Sequence, residues 1–165
     1  MLFPPITMGS HVSIVPNHQV GRITSLNMRF AVAMAGNLGY ELDLNKLDEA
    51  EKAEIKRQIS WYKNIREITQ KGTFYRMESP FERNTVSWCF VSEDETKIVC
   101  CYYQILAEPI YTNPVLKLKG LKENALYRLN GQDKIFSGSE LMYAGLTVPK
   151  IEGDFYSEIY ILQRI

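Results

Sequence analysis

Glu41 and Asp43, two residues apart in the run LGYELDL, have the residue type and spacing that acid–base chemistry needs. If the run is a strand, both side chains project on one face, ~6.5–7 Å apart along the chain. Two carboxyls at that distance could act as general acid and general base on opposite sides of a bond. The competing reading has them hydrogen-bonding neighbouring strands and the loop that follows. That reading is preferred, because a carboxylate pair alone does not define a pocket.

His11, Asn17 and His18 lie in the compositionally odd stretch MGSHVSIVPNHQVGR, residues 8–22. Their polar groups either contact a ligand or hold a structural loop. As metal ligands the two histidines are seven residues apart with no organised third partner. Ser10 and Ser13 flank His11, but no G-x-S-x-G elbow supports a serine nucleophile. The glycines form neither a dinucleotide fingerprint nor a phosphate-binding loop. Trp61 and Trp88 could stack on a sugar, yet one lies beside an apolar helical stripe and the other in a strand run, so packing is expected. The run LKLKGLKEN reads as a charge-protected edge strand rather than an anion site. No metal and no cofactor is implied.

Composition narrows the remaining classes. Hydrophobic residues make up 45% and charged residues 23%, an ordinary globular balance. Lys plus Arg and Asp plus Glu are 19 each, so there is no basic excess to favour nucleic acid. No apolar run reaches the ~18 residues of a membrane span. MLFPPITMGSH lacks the basic start and long apolar core of a signal peptide. Cys89, Cys100 and Cys101 have no C-x-x-C spacing and read as reduced core thiols, which favours a cytoplasmic location.

The elements that must position these groups change character near Gly72. Residues 6–15 read as a buried strand and residues 16–22 as a loop broken by Pro16 and Gly21. Thr24 to Ala35 has helical spacing, with Leu26, Phe30, Ala33 and Met34 on one face and Gly36 placed as a C-terminal cap. Leu38 to Leu44 alternates as a strand. A helix follows from Asp48 to Lys71: Asp48 and Glu51 give an acidic capping box, and Ile55, Ile59, Tyr62 and Ile65 an apolar stripe. This β–α–β–α order argues for parallel strands covered by helices. Two strands cannot bury both faces of such a sheet, so residues 1–72 look like part of a larger α/β structure.

Residues 73–165 follow another pattern. Strands are expected at 73–77, 85–91, 98–107, 115–118, 125–129, 135–137 and 155–162, with a helical turn or irregular strand at 139–144. Turn signals separate them at SEDET, EPIYTNP, KGLKEN and LNGQD. Such spacing suggests an antiparallel sandwich or small barrel.

The ordered set MGSHVSIVPNHQVGR (8–22), GNLGYELDL (36–44), SPFE (79–82), VSEDE (91–95), LKGL (118–121), SGSELM (137–142) and KIEGDFYS (150–157) resembles the C-terminal region of microbial α-galactosidases of glycoside hydrolase family 36. The resemblance covers essentially the whole chain. It implies the last two βα units of a (β/α)₈ barrel over residues 1–72, then an antiparallel β-sandwich over 73–165. It also implies a parent enzyme that releases terminal α-linked galactose with retention, from sugars of the melibiose and raffinose type. Such chemistry needs two carboxyl groups ~5–5.5 Å apart. In the family both are Asp residues upstream of the MGSHVS segment, in a Lys-Trp-Asp run and a Ser-Asp-Asp-Thr-Asp-like segment. Neither motif is present here. No catalytic residue is therefore assigned, and the isolated chain is expected to be inactive. His11, Asn17, His18 and Glu41 become candidates for shaping the substrate pocket at the top of the barrel. Expected partners are the missing barrel portion or a second copy of the chain, with no nucleic acid and no membrane. A structural, oligomerising or carbohydrate-binding role for the β-sandwich is the alternative.

Overall fold

The computed structural model describes residues 3–109, 113–150 and 152–165, arranged as two compact units, residues 1–71 and 72–165. The turn signal at 108–114 and the KIEGDFYS motif extend onto residues 110–112 and 151, which lie outside the described residues.

In the first unit, strands β1 (Gly9–Ser13) and β2 (Asn37–Glu41) pair in parallel and are linked by helix α1 (Leu26–Ala33). The register sets His11 opposite Gly39 and Ser13 opposite Glu41. Ser25 starts α1: its hydroxyl accepts from the Met28 amide at 3.1 Å, satisfying one of the free donors of the first turn. Phe30, Ala33 and Met34 of the expected face are buried, with Met28 and Ala31. The strand expected over 6–15 is shorter, because Pro5–Thr7 forms a 3₁₀ turn. It is also less buried: Val12 is enclosed, whereas Ile6, Met8 and Ile14 are exposed.

Gly36 does not cap α1. A side chain there would place its Cβ 2.7 Å from the Met8 carbonyl oxygen. The glycine lets β1 approach, and the next amide, Asn37 N–H, donates to that carbonyl at 2.8 Å.

Helix α2 (Glu49–Lys71) begins at the expected capping box. The Glu51 amide donates to Asp48 Oδ1 at 2.7 Å, and the Asp48 amide to Glu51 Oε2 at 3.2 Å. Its buried stripe is Ile55, Gln58, Tyr62, Ile65, Ile68 and Thr69. Ile59 stands exposed, and the amide of Gln58 takes the interior position instead.

The second unit holds a six-stranded antiparallel sheet and a two-stranded ribbon. The sheet comprises β3 (Thr73–Glu78), β4 (Thr85–Val91), β5 (Lys97–Gln104), β7 (Leu126–Leu129), β8 (Ile135–Ser137) and β10 (Tyr156–Arg164), in the order β3-β4-β5-β10-β7-β8. The ribbon pairs β6 (Val115–Leu116) with β9 (Leu146–Thr147). Residues 140–144 form a single π turn. The long middle strands alternate residue by residue. One face of β4 and β5 sends Cys89, Val91, Ile98, Cys100 and Tyr102 into a core closed by Leu116, Leu118, Leu141 and Val148. Burying each large side chain there contributes ~1.5–3 kcal/mol. The opposite face carries Phe90, Val99 and Tyr103, also buried. The lysine-rich run supplies this core with Leu116, Leu118 and Leu121 and leaves Lys117 and Lys119 outside.

Candidate functional site

The C-terminal ends of β1 and β2 carry the candidate groups. His11 and Ser13 share one face of β1, while Val12 turns inward to the core. Gly39, opposite His11, has no side chain to occupy that face. His11 Nε2 reaches across it to Glu41 Oε2 at 2.8 Å, with both side chains largely open to solvent. Two of the four candidates, His11 and Glu41, are thus brought together.

The strand ends at Glu41, so Asp43 does not continue the same face. Its carboxylate accepts from the Asn45 amide at 3.0 Å and caps the 3₁₀ turn Leu44–Lys46. The acid–base pair that the alternation suggested is therefore not formed. Glu41 turns to His11 and Asp43 to its own loop.

Asn17 organises the loop after β1, which contains a cis peptide at Val15–Pro16. Its side-chain oxygen accepts from the amides of Gln19 and Val20, both at 3.1 Å. Its own amide donates to the Arg22 carbonyl at 2.9 Å, and its carbonyl accepts from Gly21 at 2.8 Å. The side-chain NH₂ donates to Ser13 Oγ at 3.4 Å, tying the loop to the strand end. Gly21 closes the turn at φ +65°, a conformation that favours glycine. His18 stands exposed on the same loop and joins neither Asn17 nor the His11–Glu41 pair.

Beneath this rim lies a polar seam that periodicity did not signal. Arg29 donates to the Ser13 carbonyl at 2.5 Å, anchoring α1 to the end of β1. Burial pushes the guanidinium pKa down, opposed by Glu51 and Tyr40. Tyr40 donates to Gln58 Oε1 at 2.8 Å, and Gln58 Nε2 donates to Asn27 at 3.0 Å and Glu54 at 2.8 Å. Burial, then the nearby Glu54 charge, pushes the Tyr40 phenol up to about 12. The seam fixes β2 and both helices around the strand ends. A glutamine on an otherwise apolar helical stripe was the available signal for it.

The tryptophans are taken up by packing. Trp61 meets Phe30 edge-on at 5.7 Å, and Trp88 lies 4.5 Å from Tyr103. A cleft of about 370 Å³ in the second unit is lined by Glu78, Glu82, Arg83, Lys117 and Lys119, with no ring in its wall to stack on a sugar. Among the described residues no group of three His, Cys, Asp or Glu side chains could hold a metal ion. No described helix is long and apolar enough to cross a membrane.

Comparison with known proteins gives these strand ends a context. A Melibiase family model matches residues 1–72, and the glycosyl hydrolase family 36 C-terminal domain matches residues 85–162. The chain belongs to glycoside hydrolase family 36. Among family 36 relatives, alpha-galactosidase AgaA of Geobacillus stearothermophilus is 47% identical over 165 residues, which is 100% of this chain and 22% of AgaA. Alpha-galactosidase Mel36A of Lactobacillus acidophilus is 40% identical over 167 aligned positions, again 100% of this chain and 22% of the relative. The crystal structure of an AgaA variant in complex with raffinose superposes with a TM-score of 0.95 over 98% of this chain and 22% of that one. The alpha-galactosidase from Lactobacillus brevis, 42% identical, gives 0.95 over 99% and 23%. This chain thus corresponds to the C-terminal part of such enzymes and spans little more than a fifth of their length.

Proposed function

We propose that this chain is the C-terminal portion of a retaining α-galactosidase, supplying the last two βα units of its (β/α)₈ barrel and the β-sandwich that follows. The observation that carries the reading is the two-stranded parallel sheet. Among the described residues β1 and β2 have only each other as partners, with helices between and after them. Two parallel strands do not stand alone as a sheet, and a barrel supplies the missing neighbours. Residues 1–72 are the barrel portion and residues 73–165 the sandwich.

In this reading the two catalytic carboxylates come from barrel strands outside these residues. The strand ends here contribute shape and polar contacts. His11 and Glu41, held together by their 2.8 Å side-chain contact, form part of the rim around a terminal galactose. Asn17 holds the adjoining loop in place and presents His18 from it. The substrates are terminal α-galactosides of the melibiose and raffinose type. The partner of the isolated chain is the rest of the barrel, or a second copy that shields the same strand edges. The free, buried thiols suit a reducing cytoplasm.

The test is a chimaera in which this chain replaces the matching 22% of AgaA, assayed with an aryl α-galactoside. Activity within an order of magnitude of AgaA is expected, and the chain alone should release nothing above a boiled control. A folded but inactive chimaera would overturn the assignment. So would turnover by the chain alone that is lost in Glu41→Gln.

A further inference from the structure

Cys89 and Cys100 face each other across the β4–β5 ladder. Their place in its hydrogen-bond pattern follows from the two ends. The Ile105 amide donates to the Asn84 carbonyl at 2.8 Å, and the Ser92 amide to the Lys97 carbonyl at 2.9 Å. Each joins residues directly opposite one another in the register that pairs Thr85 with Gln104 and Val91 with Ile98. Hydrogen-bonded and non-hydrogen-bonded pairs alternate along an antiparallel ladder. Counting inward from either end puts Cys89 and Cys100 at a non-hydrogen-bonded pair. There the Cα atoms lie ~4.5 Å apart and the side chains are at their closest. That separation is within the ~4.4–6.8 Å that a disulfide spans.

Both residues are wholly buried on the same core face, where the Cys89 thiol donates to the Lys119 carbonyl at 3.9 Å. Burial holds the Cys100 thiol well above its ordinary pKa, while contact with Cys100 lowers that of Cys89. Cys101 sits opposite Trp88 and points to the other face of the sheet. Of the three possible pairings, only one has two sulfurs on one face.

We propose that Cys89 and Cys100 are a latent cross-strand disulfide pair, closed by exchange with a small-molecule disulfide, so that β4 and β5 become covalently linked while Cys101 stays reduced. In the first step the Cys89 thiolate attacks one sulfur of the small disulfide, forms a mixed disulfide and expels a thiolate. The Cys100 sulfur then attacks the Cys89 sulfur, closes the protein disulfide and expels the second thiolate. The two protein thiol protons end on the two departing thiols. Two electrons pass from the protein to the oxidant. Because both thiols are buried, the exchange proceeds through opening of the β4–β5 pair. It is therefore slow in the native protein and faster under mild denaturation.

The experiment equilibrates the chain with glutathione disulfide, with and without sub-denaturing urea. Free thiols are then alkylated and the tryptic peptides mapped by tandem mass spectrometry. Cleavage after Arg83 and Lys97 separates Cys89 from Cys100 and Cys101. The expected product is one intrachain link between Cys89 and Cys100, with alkylated Cys101. It should form faster in urea and raise Tm by about 5 °C. Cys101→Ala should leave the link intact, and Cys100→Ala should abolish it. A link through Cys101, a link between chains, or three alkylated thiols after refolding in the oxidising buffer would overturn the proposal. The wild-type map decides the matter even if a variant fails to fold.

Discussion

His11 and Glu41 sit on adjacent parallel strands, and their side chains meet at 2.8 Å over the space left by Gly39. The contact depends on a register of β1 against β2 that no local pattern encodes. Both groups are substantially solvated, so the pair adds little to stability. Glu41→Gln should change the unfolding free energy of this chain by less than ~1 kcal/mol in urea titrations. In the AgaA chimaera, His11→Ala should lower kcat/KM for an aryl α-galactoside about tenfold with Tm unchanged, the loss of one polar contact. A fall in Tm that accounts for the lost activity would reduce the pair to a structural role.

Gly138 and Gly9 should respond oppositely to the same change. A Cβ at Gly138 would lie 2.0 Å from the Lys122 carbonyl oxygen, whereas one at Gly9 meets nothing within 4 Å. Gly138→Ala should therefore cost ~2–4 kcal/mol. Gly9→Ala should be neutral or slightly stabilising. Equilibrium denaturation of the two variants side by side checks both.

Tyr62 joins α2 to the start of β2 through its hydroxyl, which donates to the Gly36 carbonyl at 2.7 Å. The same oxygen accepts from Gln70 Nε2 at 3.3 Å. Tyr62→Phe keeps the packed ring and leaves a buried carbonyl without its donor. A cost of ~1–2 kcal/mol is expected in urea denaturation.

Asp94 predicts an acid limb in the stability profile. Hydrogen bonds from the Ser92 hydroxyl, and then from Thr96, hold its carboxyl at about 2. Its folded pKa lies below the ordinary value of 3.8, so the contribution is complete above pH 4 and lost as pH falls toward 2. Tyr40 acts at the other end. Its folded pKa of about 12 exceeds the ordinary 10, so its contribution is whole below pH 10 and lost as pH rises to 12. Tm measured against pH should show both limbs, the first flattened in Asp94→Asn and the second in Tyr40→Phe.

What could be read from the sequence was mostly local. The Asp48–Glu51 box formed as expected because its partners are three residues apart. The strands at 85–91 and 135–137 were legible from alternation and turn residues. Gln58 was not, because its partners Tyr40 and Asn27 arrive from other elements. Alternation also ran past Glu41 without marking where the Asp43 cap takes over. Gly36 looked like a helix stop, yet the approach of the Met8 carbonyl is what requires it. The site candidates were placed by resemblance. Their pairing emerged only from the register of two strands 24 residues apart (Ser13 and Asn37 bound the gap).

The strand order of the second unit carries a consequence for synthesis. β10 lies between β5 and β7, joining the two halves of the sheet. The ribosome makes this strand after every other strand of the sheet. Until Tyr156–Arg164 has emerged, β5 offers an open edge of almost wholly apolar residues. A nascent chain paused before Tyr156 is thus a template for mispairing, and the translation rate through the residues just upstream sets how long that edge stays exposed.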